Sequence, residues 1–576
     1  MSRNFKSFLP ITKKEAEVLG WDYIDVILFT GDAYIDHPSF GTAVIGRYLQ
    51  SLGYRVAIVP QPNWRDDLRD FRKFGKPRLF FGVNSGVMDS MINHYTAAKR
   101  LRSDDAYTPE GKSGQRPDYA VTVYSRILKR LYPDTPVIIG GVEASLRRLA
   151  HYDYWEDKLK PSVLFESGAD ILVYGMGEKP VKEIAAVLER GGDREELLQI
   201  PQIAYLSESP YTGDKRSVIL DSFEKVLSDK EKFVRNFGVV EQESNMWHPA
   251  YISEPCMGRF VRVNPPYEPG KDGEIDKYYD LPYTREPHFK YKGKHISAYE
   301  MIKNSVNTHR GCFGSCSFCT ISAHQGKFVQ SRSEDSILRE LSLIASSEDF
   351  KGYISDIGGP TANMYKMKGK NLDICKKCKR ESCNYPNICR NLDHSHVPLL
   401  NLYKQAEEIK GIKKSFVSSG IRYDLFLNEK GYLDESGKSY FKELVLNHTS
   451  GRLKVAPEHT EDVVLKSMGK PSFGSFVFLK DEFEKICRIG QKRYQLIPYF
   501  ISSHPACTME HMRALSSNKA LRGVRLEQVQ DFTPTPMTRS SVAYYTGIDP
   551  VTLKNIFVEK DMEKKKRQKS FFFNKF

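Results

Sequence analysis

Short, uninterrupted apolar runs, each closed by small or polar residues, set the rhythm of the first half of the chain. Val26-Ile27-Leu28-Phe29, Val56-Ala57-Ile58-Val59, Leu79-Phe80-Phe81-Gly82-Val83, Pro136-Val137-Ile138-Ile139 and Ile171-Leu172-Val173-Tyr174 have the length of strands. A run with no polar alternation is apolar on both faces, as the strands of a helix-covered parallel sheet must be. Helix-like segments separate the runs, such as Thr42 to Leu52 stopping at Gly53. The alternation predicts an α/β fold whose first domain, residues 1–249, is Rossmann-like. The strand ends Gly140-Gly141 and Gly175-Met176-Gly177-Glu178 are small, and an open parallel sheet keeps its ligand crevice at such ends. Residues 250–295 break the rhythm with Asn264-Pro265-Pro266-Tyr267-Glu268-Pro269-Gly270 and Asp280-Leu281-Pro282-Tyr283. Proline, tyrosine and charge without periodicity predict an interdomain connector there.

The strand-helix rhythm then returns and repeats six times, which predicts a partial parallel (β/α)6 barrel over residues 296–550. Its strands include Tyr353 to Ile357, Ser415 to Arg422, Arg452 to His459, Tyr494 to His504 and Glu527 to Pro534, and Ser333 followed by Glu334 and Asp335 marks a helix start. Barrel enzymes carry their binding residues at the C-terminal ends of the strands, which makes Arg422, Glu458, His459 and His504 site candidates. Each can equally be a satisfied structural polar group. Residues 551–576 form a basic tail in which Lys564, Lys565, Lys566, Arg567 and Lys569 precede Phe571-Phe572-Phe573.

Composition narrows the class. The chain has 576 residues, too many for one ordinary core. Met1 to Gly20 carry charge without a continuous apolar stretch, unlike a secretory signal or transit peptide, and no run approaches membrane-spanning length. The formal charge of +14 suits an acidic partner such as RNA, with the basic tail as one contributor and a solvated chain end as the plainer reading of that tail. Ten cysteines are too few for a disulfide scaffold of this size, and seven of them lie between residues 312 and 389. That clustering predicts metal binding in a reducing compartment, the cytoplasm.

Cys312, Cys316 and Cys319 stand as Cys-x3-Cys-x2-Cys on a short glycine-containing loop. Three thiolates can each hold one iron of a 4Fe-4S cube and leave the fourth iron open. A zinc site closed by His324 is the other reading of the triplet. Cys375-x2-Cys378-x4-Cys383-x5-Cys389 form a second set within a cysteine-rich insert, residues 375–396. Lys376, Lys377, Lys379 and Arg380 surround these thiols and favour the thiolate, while His394 and His396 offer alternative ligands. Four thiolates suit a second iron-sulfur cluster or a structural zinc. Cys256, Cys487 and Cys507 are isolated and read as packing residues.

The cysteine triplet with Phe318 before its last member resembles the signature of the radical S-adenosylmethionine (SAM) superfamily. Asp36-His37-Pro38-Ser39-Phe40-Gly41, Ile139-Gly140-Gly141-Val142-Glu143-Ala144-Ser145, Asp356-Ile357-Gly358-Gly359-Pro360-Thr361-Ala362-Asn363-Met364-Tyr365, Ser419-Gly420-Ile421-Arg422-Tyr423-Asp424 and Ser502-Ser503-His504-Pro505 resemble more narrowly the YgiQ-type bacterial radical SAM proteins. The resemblance spans nearly the whole chain. It implies that the amine and carboxylate of SAM chelate the open iron, and that reductive cleavage yields a 5′-deoxyadenosyl radical that abstracts hydrogen from a substrate. An external electron donor such as flavodoxin or ferredoxin is implied with it. The backbone of Gly358-Gly359 would take the SAM amine, with Pro360 where the superfamily has glutamate. Arg422 would pair with the methionyl carboxylate, and Glu458 or His459 would hold the ribose hydroxyls. The N-terminal half resembles a cobalamin-binding-type domain, yet Asp36 and His37 are adjacent and miss the ligating Asp-x-His-x-x-Gly pattern, so no corrin is expected. The rival readings are a cobalamin-assisted radical methyltransferase and a non-catalytic iron-sulfur protein that binds RNA or transfers electrons. The resemblance names no substrate.

Overall fold

Burial on both faces turns the five apolar runs into one parallel sheet. The computed structural model describes residues 8–524 and 526–573, so the first seven residues of the charged N-terminus and the last three of the tail lie outside the described residues. The chain divides into two units, the first comprising the described part of Met1–Asn236 with His248–Glu268 and Lys277–Lys303. Its nine-stranded sheet runs Val56–Pro60, Val26–Thr30, Phe80–Asn84, Val137–Ile139, Ile171–Val173, Ile203–Ser207, Arg259–Val263, Tyr251–Cys256, Ser217–Ile219. The first five are parallel, with Val26 opposite both Val56 and Phe80, Phe81 opposite Val137 and Ile138 opposite Ile171. That order is a doubly wound arrangement whose connections reverse between Val26–Thr30 and Phe80–Asn84.

The connector expected over 250–295 is corrected at its start. Tyr251–Cys256 and Arg259–Val263 form an antiparallel hairpin inside the sheet, with Cys256 opposite Arg259. Met257 and Gly258, both at positive φ (49° and 76°), make its turn, the geometry that matches strand twist in a two-residue hairpin loop.

The second unit comprises Phe237–Trp247, Pro269–Asp276 and the described part of Asn304–Phe576. Its parallel strands follow chain order: Ser305–Asn307, Asp356–Gly358 with Tyr353–Ile354, Lys414–Ser415, Arg452–Glu458, Gln495–Ser502 and Gln528–Asp531. Ser305 lies opposite Asp356, Tyr353 opposite Lys414, Ile421 opposite Val455, Arg452 opposite Gln495 and Tyr499 opposite Gln528. Sequential parallel strands with returning helices are a partial barrel. The helices Glu334–Ala345, Val397–Glu408, Glu435–Asn447 and Phe473–Ile489 bury Leu341, Leu402, Phe441 and Leu479 against it. Ser333 caps the first of these, its Oγ accepting from Ser336 N at 3.1 Å.

The basic tail is not a solvated end through residue 573. Asp561 caps a helix, Met562–Ser570, that buries Lys565 and Gln568. Ser503 N donates to Gln568 Oε1 at 2.9 Å, and Gln568 Nε2 donates to the Cys507 carbonyl at 3.2 Å. Phe572 enters the core beside Phe500, their ring centroids 6.1 Å apart. Two of the three tail phenylalanines therefore pack on protein, Phe571 partly and Phe572 fully, while Phe573 is exposed. Among the described residues no helix is long and apolar enough to cross a membrane.

Candidate iron-sulfur and SAM site

The cysteine triplet occupies the loop after the first barrel strand, and glycine is required at two of its turns. Gly311 has φ +86°, and a Cβ there would lie 2.5 Å from the Phe328 carbonyl oxygen. A Cβ on Gly314 would lie 2.2 Å from Arg422 Nη1. The loop is tied down along its length. Thr308 N and Oγ1 donate to the Gly358 carbonyl at 2.7 and 3.0 Å, Cys312 N to Gly326 O at 3.1 Å and Ser317 N to Met468 O at 3.0 Å.

The thiols meet donors suited to thiolates. Cys312 Sγ accepts from Gly314 N at 3.4 Å and faces Thr361 Oγ1 at 3.5 Å. Cys316 Sγ accepts from Arg422 Nη1 at 3.3 Å. Burial pushes the Cys319 thiol up to about 12, helped by the neighbouring Cys316 and Cys312. It also raises Cys312, against the Arg422 charge. Loading with metal therefore displaces protons. Among the described residues, no three His, Cys, Asp or Glu side chains are arranged to hold a single metal ion.

Arg422, at the end of the third strand region, is the buried charge of the site. Its Nε pairs with Asp424 at 3.1 Å, Nη1 reaches Cys316, and its buried Nη2 has no hydrogen-bond partner. Asn363 holds the Arg422 backbone from both sides, Oδ1 accepting from Arg422 N at 2.8 Å and Nδ2 donating to Arg422 O at 3.0 Å. An orphaned guanidinium donor in a buried setting is costly unless a ligand meets it. Gly358 ends the second strand, and Gly359 follows with the His309 imidazole against it, where a Cβ would come within 2.5 Å of the ring. The same segment continues to Thr361 beside Cys312. The structure thus brings Gly358-Gly359, Arg422 and the cysteine triplet together.

The other strand-end candidates divide. Glu458 ends its strand at φ +68°, in the left-handed region that non-glycine residues seldom adopt, and is buried with Lys470 Nζ at 3.7 Å. Burial raises its carboxyl above the ordinary value, while Lys470 and Arg422 lower it. His459 is turned into the fold: Nδ1 accepts from Glu461 N at 3.1 Å and Nε2 meets Cys507 Sγ at 3.6 Å. Burial holds it neutral, down to about 3. The expectation that His459 contacts SAM is therefore corrected, because both ring nitrogens are used inside the protein. His504 is likewise internal, its Nδ1 2.8 Å from Pro505 O and its Nε2 2.7 Å from Ser540 Oγ, and Ser540 Oγ donates onward to Ser317 in the cysteine loop at 2.7 Å.

Cys375, Cys378, Cys383 and Cys389 lie in the insert, which rests on the first loop through Ser382, Cys383 and Cys389. Cys383 N donates to Phe313 O at 3.2 Å, and Ser382 Oγ donates to Phe313 O at 2.9 Å and Gly314 O at 3.1 Å. Arg539 reaches both loops, Nη2 donating to Ser315 O at 2.5 Å and Nη1 pairing with Glu381 at 2.8 Å. Arg539, Asn363 and His309 escape a reading of the sequence for site residues. Asn363 sits inside the Gly-Gly-Pro-Thr run and His309 just before the triplet, so proximity to those motifs was the available signal. Arg539 has none, since its partners come from distant segments. Cys256, Cys487 and Cys507 are buried, as packing residues are.

Over residues 8–305 the chain matches the family described as Radical SAM N-terminal. The UPF0313 protein of Bacteroides thetaiotaomicron is 56% identical over 580 residues, which span 98% of this chain and 94% of that protein. UPF0313 protein YgiQ of Escherichia coli is 42% identical over 623 residues, spanning 98% of this chain and 83% of that one. Among solved structures, the radical S-adenosylmethionine methyltransferase TsrM from Kitasatospora setae, with cobalamin and a 4Fe-4S cluster bound, shares the fold. The match has a TM-score of 0.50 at 16% identity and covers 91% of this chain and 78% of that one.

Proposed function

The chain belongs to the UPF0313 (YgiQ) family of radical SAM proteins, and we propose that it is an enzyme in which Cys312, Cys316 and Cys319 hold a 4Fe-4S cluster that cleaves SAM. The observation that carries the reading is Arg422, which touches the Cys316 thiol with one nitrogen and buries another without a partner. When bound, the cluster supplies the electron for reductive SAM cleavage, the step that starts hydrogen abstraction from substrate. The chain's own groups bind and orient. Arg422 Nη2 takes the methionyl carboxylate beside the triplet, and Asp424 and Asn363 keep the guanidinium aimed. The Gly358 carbonyl already accepts twice from Thr308, so the Gly359 carbonyl is the acceptor left in that segment for the SAM amine. Glu458, rather than His459, is the candidate for the ribose hydroxyls. An external one-electron donor such as flavodoxin or ferredoxin completes the reading.

The test is anaerobic reconstitution with iron and sulfide, reduction, and assay for 5′-deoxyadenosine and methionine. The full chain is expected to form both, and the Cys312→Ala, Cys316→Ala, Cys319→Ala variant neither. Undiminished 5′-deoxyadenosine from that variant would sink the assignment.

The likeness to TsrM favours one rival, a cobalamin-assisted methyltransferase. The crevice that this sheet order opens lies where the connections reverse, beyond Thr30 and Asn84. Here side chains fill it. Arg116, fully buried, pairs with Asp32 at 2.8 Å and Asp105 at 3.2 Å and donates to Ser85 O at 2.8 Å. A Cβ on Gly31 would lie 2.2 Å from Ser85 O, and one on Gly86 2.2 Å from Asp32 Oδ1. His37, off the ligating pattern, is fully buried. A buried ion network in the crevice supports a domain without corrin, and no step is assigned to one. Stoichiometric corrin absorbance in protein from cobalamin-supplemented cells would promote the rival.

A further inference from the structure

The insert between the second strand and its helix has little regular structure of its own, and Cys383, Ile388 and Cys389 are partly buried against the small core of Phe313, Met364, Met367 and Leu392. Its ends are pinned by a short hairpin, Lys368 opposite Asp393 and Gly369 opposite Leu392. Between them the regular structure is the five-residue helix Leu372–Lys376. Leu372 and Ile374, its large apolar side chains, are exposed at 43% and 54% instead of forming a core. Long loops without secondary structure or a core of their own are uncommon in a compact domain, and small segments of this kind are held by disulfides or metals. The four cysteines are free thiols, none disulfide-bonded.

These thiols repeat the setting of the first set. Asn391 Nδ2 donates to Cys375 Sγ at 3.4 Å and Arg380 N donates to Cys378 Sγ at 3.4 Å, as Gly314 N and Arg422 do for Cys312 and Cys316. Cys389 N donates to Cys383 O at 2.7 Å, which closes the turn between the last two. Gly369 makes room for Cys375, since a Cβ there would lie 2.3 Å from its sulfur. Lys327, buried, donates to Arg380 O beneath the insert. Cationic surroundings and N–H···S bonds are what thiolate ligands need.

We propose that Cys375, Cys378, Cys383 and Cys389 hold a second, fully thiolate-bound iron-sulfur cube that leaves no iron open. The rival occupant is a tetrahedral zinc, which draws four sulfurs in to about 2.3 Å from one centre. A cube spreads its thiolates over separate irons. The insert's contacts to Phe313 and Gly314 and the Arg539 bridge give this centre a structural role, that of bracing the loop that carries the open cluster.

Iron, acid-labile sulfide and zinc are counted on anaerobically reconstituted full-length protein, with Mössbauer spectra on iron-57 samples. The wild type is expected to carry about eight irons and eight sulfides, and the Cys312, Cys316, Cys319 triple alanine variant about four of each. The variant with all four insert cysteines changed to alanine is expected to lose about half the wild-type iron. A wild type with about four irons, or a triple variant with none, overturns the site. One zinc without sulfide in the triple variant overturns the cluster. These counts do not depend on SAM cleavage, so failure of the proposed function leaves them readable.

Discussion

The two cysteine sets are alike in their immediate surroundings and unlike in what stands next to them. Both lie on loops with short elements, and both offer N–H donors to sulfur. The set at 312–319 has three thiols, and beside it are a buried guanidinium nitrogen without a partner and the end of a barrel strand. The set at 375–389 has four thiols and is surrounded by Asn391, Lys327 and its own backbone. A missing ligand next to an unmet donor is an invitation to a carboxylate-bearing molecule, whereas a complete ligand set among cations is closed. On the proposed reading, position relative to the barrel strands separates a reactive centre from a bracing one, although the ligand chemistry is the same.

Arg422 should break the comparison most severely. Arg422→Ala takes the cation from Asp424, which keeps only the Asn384 amide as a side-chain donor, a loss of about 3 kcal/mol, and removes the donor to Cys316. Urea unfolding is expected to show that loss, and 5′-deoxyadenosine formation to disappear. Arg422→Lys keeps the charge but not the fork, so a folded protein with cleavage reduced on the order of tenfold or more is expected. A lysine variant at the wild-type rate would remove Arg422 from the SAM site.

Gly359→Ala tests the neighbouring wall. The new methyl meets the His309 ring, and overpacking of this kind costs about 1–3 kcal/mol. Calorimetry should register the cost, and the KM for SAM should rise while the insert keeps its iron. Loss of iron from the insert instead would mean that the two sets are not separable.

Ser382→Ala removes one hydroxyl that donates to Phe313 O and Gly314 O, worth about 1 kcal/mol. Its expected effect is a faster release of iron from the 312–319 cluster to a chelator, with the iron count before challenge unchanged. Equal release rates would show that the insert does not brace the loop. The smallest effect is expected at His459, where His459→Gln should leave the KM for SAM within about twofold of wild type, because the imidazole serves the interior. A large rise in KM would return His459 to the site.

Particular residues show what could be read in the sequence and why. The five apolar runs became the parallel sheet because two-sided burial leaves a continuous apolar signature, and Arg422 was legible because binding residues gather at barrel strand ends. The hairpin at 251–263 was hidden by Pro255, which reads against a strand, and by Met257-Gly258, a turn without the usual asparagine or aspartate. The tail concealed its buried face in a similar way. Lys565 and Gln568, three apart, lie on one side of a helix whose composition otherwise reads as solvated, and Phe572 is buried just past its end. Arg539 illustrates the remaining limit: a residue whose partners are Ser315, Glu381 and Glu241 acquires meaning only when the fold assembles them.

The central claim, one open cluster and one closed one, meets its most direct test in the electron paramagnetic resonance spectrum of the reduced full-length protein before and after SAM is added. Two cluster signals are expected. SAM should alter one and leave the other unchanged, and the unchanged signal should persist in the Cys312, Cys316, Cys319 alanine variant. A single signal that vanishes with those three cysteines, or two signals that both respond to SAM, would contradict the account.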